Sequence, residues 1–156
     1  MNKTICLCFF LLFSYVKGWA QELSPIVWES YYIGFNAPAD MRMAEETEEE
    51  IFFTNGVYDA ILTMIDMEGM NVESMGDELQ HLVAEDGIEM MGKVEKIEND
   101  AFHIAYLKGK STDARCLYAY LLAKDESCAL MFTIFYKESG VEEIPFKMLK
   151  SLRFTE

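Results

Sequence analysis

Apolar and polar residues alternate along most of this chain, and in two places the spacing lengthens to three and four residues. Alternation marks strands and the longer spacing marks helices, so the pattern converts directly into elements. After a short polar lead containing Pro25, the aromatic and β-branched run Tyr31–Phe35 predicts a strand, broken at Pro38 in NAPAD. MRMA and EEIFFTN predict two arms of a hairpin around the acidic tip Glu46–Glu49. Asn55-Gly56 is a hairpin turn signal, because both residues tolerate positive φ, and Val57–Met67 is the returning strand.

Gly69–Glu73 is a connection. Ser74 and Asp77 then form a Ser-x-x-Asp variant of the capping box, which starts a helix near Met75. Met75, Leu79, Leu82 and Val83 share one helical face, and Gly87 supplies the left-handed residue that stops the helix. Strands return in KVEKIE and AFHIAYLKGK, around Asn99-Asp100, and in ARCLYAYLLAK and SCALMFTIFYK, around Asp125-Glu126. Leu117, Ala119 and Leu121 occupy one face of a strand whose other face is Tyr118, Tyr120 and Leu122. A strand apolar on both faces needs cover on both. The helix at Met75 provides one layer. The segment EEIPFKMLKSL provides the other, with Pro145 in its first turn and Ile144, Met148, Leu149 and Leu152 on its apolar side. The expected fold is a single antiparallel α+β domain, a β-sheet flanked by helices.

This succession resembles the PsbP/DcrB-like superfamily of small secreted or organellar domains. The pieces that carry the resemblance are the opening YYIGFNAPADMRM, the helix after ILTMIDMEG, the run of hairpins and the closing MLKSLRF. The resemblance covers most of residues 21–156 and implies an antiparallel sheet between helices. It also implies an accessory or binding role in place of catalysis: members serve photosystem assembly and cofactor retention, bind a small GTPase, or are periplasmic. It carries no site residue and no cofactor over to this chain.

The N-terminal stretch changes the picture next. Lys3, a thirteen-residue apolar run from Thr4 to Val16, and the small residues Gly18 and Ala20 spell a secretory signal peptide over residues 1–20. The run is short of the roughly 20 residues that span a bilayer. The expected mature chain is therefore residues 21–156, secreted or periplasmic, one domain long and without a membrane span. Its charge is uneven. The whole chain carries −14, and removing Lys3 and Lys17 with the leader leaves −16. Residues 21–92 hold seventeen acids and only Arg42 as a base, whereas residues 93–156 hold ten of each. Such a field makes nucleic acid and anionic membrane surfaces poor partners; it is read first as a solubility device, with cations, basic peptides or a basic protein face as the partners it would suit.

Candidate chemistry adds little. Met64–Glu78 packs four methionines and five carboxylates into fifteen residues. In an alternating strand Met64 and Met67 point to opposite faces, so the thioethers are expected to fill gaps in the core and not to gather around copper. Read as a calcium loop from Asp66, the glycine falls two residues early and position twelve is Asp77, so the pattern fails. The run Glu45–Glu50 is read as solvated. His81 lies opposite the helix's apolar stripe between Asp77 and Glu85; His103 opens a strand. Gly109–Thr112 (GKST) mimics the end of a phosphate loop, but Ile104 stands where the first glycine belongs. Pairing across Asp125-Glu126 sets Cys116 opposite Phe135 and Cys128 opposite Ala123, on opposite faces, which forbids a disulfide. No catalytic, cofactor-binding or metal-binding residue is assigned. The expectation is a non-catalytic binding protein, monomeric or weakly dimeric, recognising a protein partner or ligand. The alternative is a carrier of a small apolar ligand held between helix and sheet.

Overall fold

The turns set the topology. The side-chain oxygen of Asn55 accepts the backbone N–H groups of Val57 and Tyr58, at 3.0 and 2.8 Å. Asn99 does the same for Ala101 and Phe102, at 2.9 and 2.8 Å. Each Asn thereby closes a turn and fixes the register of the strands it joins. The computed structural model describes residues 21–137 and 140–156; the expected leader, residues 1–20, lies outside them.

In chain order the elements are β1 (Leu23–Trp28), β2 (Ile33–Pro38), β3 (Arg42–Glu46), β4 (Glu50–Thr54), β5 (Tyr58–Ile65), α1 (Met75–Glu85), β6 (Glu89–Met90), β7 (Glu95–Glu98), β8 (Phe102–Lys110), β9 (Arg115–Ala123), β10 (Ala129–Tyr136), α2 (Glu143–Lys150) and β11 (Arg153–Phe154). They form two antiparallel sheets. The large one runs β3-β4-β5-β10-β9-β8, with β6 and β7 both on the outer side of β8; the small one is β1-β2-β11.

The expected single sheet flanked by helices is corrected here, because the fold is richer in strands. The small sheet and α2 together cover one face of the large sheet, and α1 packs on the other over β8 and β9. The stretch expected as a polar lead is β1. Its Pro25 is exposed and lies in an edge strand that pairs only with β2, where a missing N–H costs no ladder bond. The next strand starts at Ile33, not Tyr31: the Tyr31 N–H turns back to the carbonyl of Trp28, and Tyr32 takes φ +54°. Its last residue is Pro38, three residues beyond the expected end at Phe35.

Two cores result. Between the sheets, Phe35 of β2 meets Phe132 of β10 and Phe53 of β4 edge-on, at ring-centroid separations of 5.1 and 5.7 Å. On the other side, Met75, Leu79 and Val83 of α1 are buried against Ala105, Leu107, Tyr118, Tyr120 and Leu122. Both faces of β9 are covered, as its two apolar faces require.

The stop of α1 follows the sequence and its start does not. Gly87 at φ +68° lets the Ile88 N–H reach the Val83 carbonyl (3.1 Å) and its own N–H reach Ala84 (3.1 Å), a Schellman closure. At the other end Ser74 is itself helical and its side chain caps nothing. The cap is Asn71, whose side-chain oxygen accepts the N–H groups of Glu73 and Ser74 at 3.0 and 2.9 Å. Asn71 thereby satisfies two N–H groups of the turn that leads into the helix, while Ser74, itself helical, leaves the Gly76 and Asp77 N–H groups without a side-chain cap.

Candidate functional site

The register of β4, β5 and β10 builds a second surface beside α1. Pairing Thr54↔Asp59, Phe52↔Ile61 and Glu50↔Thr63 puts these six side chains on the face that α1 shares. Across the next junction Asp59, Ile61 and Thr63 pair with Phe135, Thr133 and Met131. These in turn pair with Cys116, Tyr118 and Tyr120 of β9, three residues of the core beneath the helix. The face is thus continuous with the α1 core, but α1 lies over β8 and β9. Over β10, β5 and β4 the apolar side chains Phe52, Ile61, Met131 and Phe135 remain half-buried. A groove of about 250 Å3 runs there, walled by Leu82 and Asp86 at the helix end and floored by Ile61, Thr133 and Phe135.

Each carboxylate of this groove is held by a hydroxyl. Tyr118, 5% exposed, donates to Asp86 at 3.0 Å. Thr63 donates to Glu50 at 3.0 Å, and Thr54 donates to Asp59. Burial, and then the Asp86 carboxylate, push the Tyr118 phenol well above its ordinary range, so it stays a donor. Glu45, paired with Phe52, extends the acidic rim onto β3. Arg42 shares that rim, but its guanidinium is tied to the backbone carbonyls of Ala39 and Met41 at 3.0 and 2.7 Å. The arrangement is an apolar strip edged by oriented negative charge. Each of these hydroxyls spends its proton on a carboxylate and fixes that carboxylate's orientation.

The residues singled out in the sequence lie elsewhere. Met64 packs against the core between the sheets, while Met67, Met70 and Met75 belong to the α1 side; the strand expected to run to Met67 ends at Ile65, so the two thioethers diverge as expected but Met67 does so from beyond the strand. His81 sits 3.7 Å from Glu85 on the exposed side of α1. His103 sits 3.5 Å from Glu98, which also takes Lys124 at 3.2 Å. Among the described residues no three His, Cys, Asp or Glu side chains are grouped to hold a metal ion. Cys116 and Cys128 are free, with Cys116 opposite Phe135 as the register requires. They fall in different cores: Cys116 is buried on the α1 side, and Cys128 is half-buried at the edge of the core between the sheets. Burial pushes the Cys116 thiol up to about 11. Gly109 and Lys110 lie in β8, and Ser111 closes the hairpin by donating to Ala114 at 3.1 Å.

The acidic tip has a structural use that the sequence hides. The buried Trp28 indole and the Ser30 hydroxyl both donate to Glu46, at 3.0 and 2.8 Å, tying the β1–β2 turn to the end of β3. Thr47 accepts the Glu50 N–H at 3.0 Å and closes the β3–β4 turn.

The fold is similar to those of two solved structures, one of them of the PsbP type that the resemblance implied. The structure is similar to the solution structure of cyanobacterial PsbP (CyanoP) from Synechocystis sp. PCC 6803, with a TM-score of 0.59 and 10% identity over 86% of this chain and 93% of that one. It is also similar to a crystal structure from Bacteroides thetaiotaomicron VPI-5482, with a TM-score of 0.53 and 13% identity. That match covers 87% of this chain but 49% of the other, so this chain spans about half of that protein's length. At these identities the likeness concerns the fold. No family model and no curated protein sequence matches the chain.

Proposed function

We propose that the protein is an exported, non-catalytic accessory module that uses the uncovered half of its large sheet to bind a macromolecular partner. The observation that carries this reading is the half-buried group Phe52, Ile61, Met131 and Phe135, in which Phe52 pairs with Ile61 and Met131 and Phe135 are its diagonal neighbours on either side of Thr133, edged by hydroxyl-braced carboxylates. Contiguous apolar surface with a polar rim is the ordinary signature of a binding face. The PsbP-like fold supports an accessory role, and the leader sequence supports export. The carrier alternative needs a cavity of roughly 300–1,000 Å3 that encloses its ligand. The grooves at the α1 face and beside α2 measure about 250 and 210 Å3 and open to solvent, which favours the partner-binding reading. A net charge of −16 on residues 21–156 keeps copies apart and supports a monomer.

The test is site-specific photo-crosslinking in cells that export the protein. A photoreactive phenylalanine analogue at Phe52 or Phe135 is expected to give one discrete covalent adduct. The same probe at Val141, exposed ahead of α2, is the control and is expected to give none. Equal labelling at all three positions, or none at the first two, refutes the reading.

A further inference from the structure

We infer that the occupant of this face, on the reading just given, is a short amphipathic helix of a partner protein with lysine or arginine on both flanks of its apolar stripe. The backbone decides helix over strand. In β5 and β10 the main-chain groups are spent on both neighbouring strands, so the face offers side chains only. An extended segment laid across it would lose water from N–H and C=O groups and find no partners for them. A helix satisfies its own. The dimensions agree: strands stand about 4.8 Å apart, so β10, β5 and β4 span roughly 10–14 Å, the width of one helix with its side chains. Helix α1 already lies over β9 and β8, and a second helix at about 8–10 Å beside it completes the layer.

Charge decides the flanks. Asp86 stands at the α1 wall, Glu50 and Asp59 stand on the floor strands, and Glu45 stands on the outer rim. Three of these four carboxylates are already oriented by Tyr118, Thr63 and Thr54, so less freedom is lost when a cation arrives. A second copy of this chain would oppose an identical acidic face in any two-fold dimer. Anionic lipid is repelled for the same reason.

Binding of synthetic helices of about 18 residues to the purified protein tests this, read by fluorescence anisotropy. Three are compared: a Leu-striped helix flanked by Lys, the same helix flanked by Glu, and a Lys peptide of identical composition scrambled to destroy the stripe. The Lys-flanked helix is expected to bind at least about tenfold more tightly than either control, and to weaken about tenfold between about 50 and 500 mM salt. Ile61→Lys with Met131→Lys is expected to abolish binding. Glu50→Lys with Asp86→Lys is expected to weaken it about tenfold, while Glu22→Lys with Glu29→Lys, an equal charge change away from the face, shifts it less than about twofold. Equal binding of the scrambled peptide, or equal loss in the Glu22/Glu29 variant, would show unspecific charge attraction and overturn the inference. Crosslinks at Phe52 and Phe135 without binding of any cationic helix would overturn the helix while leaving the face intact. Absence of crosslinks would remove both.

Discussion

Phe52 and Phe53 are neighbours in β4 and differ only in the side to which they point, so they separate folding from binding cleanly. Phe53 is 4% exposed and meets Phe35 edge-on at 5.7 Å in the core between the sheets. Phe52 lies on the bare face, half-buried, beside Ile61 and Glu45. Phe53→Ala loses the transfer energy of the ring and leaves a cavity that two sheets cannot collapse around, together about 3–5 kcal/mol. Phe52→Ala loses part of a transfer energy of about 1.5–3 kcal/mol and leaves no cavity, since water fills the space. That is about 1 kcal/mol. Both changes replace the same residue type at adjacent positions of one strand, so denatured-state effects cancel in the comparison and what remains is the difference between the two faces. The expected difference is about 2–4 kcal/mol, read as a difference in urea midpoint at constant m-value. The crosslinking result should run in the opposite order, with Ile61-facing changes abolishing the adduct at little cost in stability. Equal destabilisation by the two substitutions would refute the reasoning, because it would make the face part of the core and leave no surplus apolar surface to explain.

Three further outcomes follow from single contacts. Asn71→Ala should cost about 1 kcal/mol in thermal unfolding and Ser74→Ala only a few tenths, since Asn71 and not Ser74 caps α1; the reverse order would restore the capping box. Gly109→Ala should destabilise by about 1–3 kcal/mol, because a Cβ there would stand 2.5 Å from Ile88 Cγ2 and 3.1 Å from Cys116 Sγ; a neutral effect would mean that the β6–β8 edge yields freely. Stability should also fall in alkali. Burial, aided by Glu95, pushes the Tyr106 phenol up to about 12 from 10.0, and burial alone pushes the Cys116 thiol up to about 11 from 9.0. The folded state thus holds these protons longer than the unfolded chain does. Their contribution is complete below about pH 9 and is lost as pH rises toward about 12. Urea midpoints measured across that window should decline, and a flat profile would show that both groups titrate alike in the two states.

Local signals carried most of the fold. Asn55-Gly56, Asn99-Asp100 and Gly87 each act within a few residues, although Asn55 turns the chain through its side-chain oxygen and not through the positive φ expected of it, which of that pair only Gly56 takes. The β9–β10 register was legible for the same reason, since a turn fixes the sum of paired positions: Ala129↔Leu122 and Phe135↔Cys116 keep the sum set by Lys124 and Ser127. What was not legible depends on partners distant in sequence. β1 reads as a polar lead because its only neighbour is β2 and its exposed side tolerates Pro25 and Glu29 at its end. β11 is two residues long and exists because Thr155 and Arg153 reach the β2 edge, with the Thr155 N–H on the Tyr32 carbonyl at 2.7 Å. A second sheet built from the two ends of the chain leaves no periodic signal that a short window can register.

The bare face escaped sequence reasoning for a different reason, and it need not have. Alternation in β9 showed two apolar faces, which correctly demanded two layers of cover. The error lay in area. A large sheet with six strands on its main path is about 25–30 Å wide, whereas one helix of eleven residues is about 16 Å long and 10 Å across. A single such helix cannot cover one side of that sheet, so some apolar side chains must remain outside it. Exposed apolar side chains such as Val27, Met43, Met90 and Phe154 are scattered over other strands. The strip differs in being half-buried and clustered: Phe52 pairs with Ile61, and Met131 and Phe135 flank Thr133 across from Thr63, Ile61 and Asp59. The acids that make residues 21–92 so lopsided include every carboxylate on that rim: Glu45, Glu50, Asp59 and Asp86. Solubility alone would be served by carboxylates anywhere on the surface. Hydroxyls brace carboxylates elsewhere too, as Ser30 does Glu46 and Tyr106 does Glu95, but here Thr54, Thr63 and Tyr118 place three braced carboxylates around one half-buried apolar group beside α1.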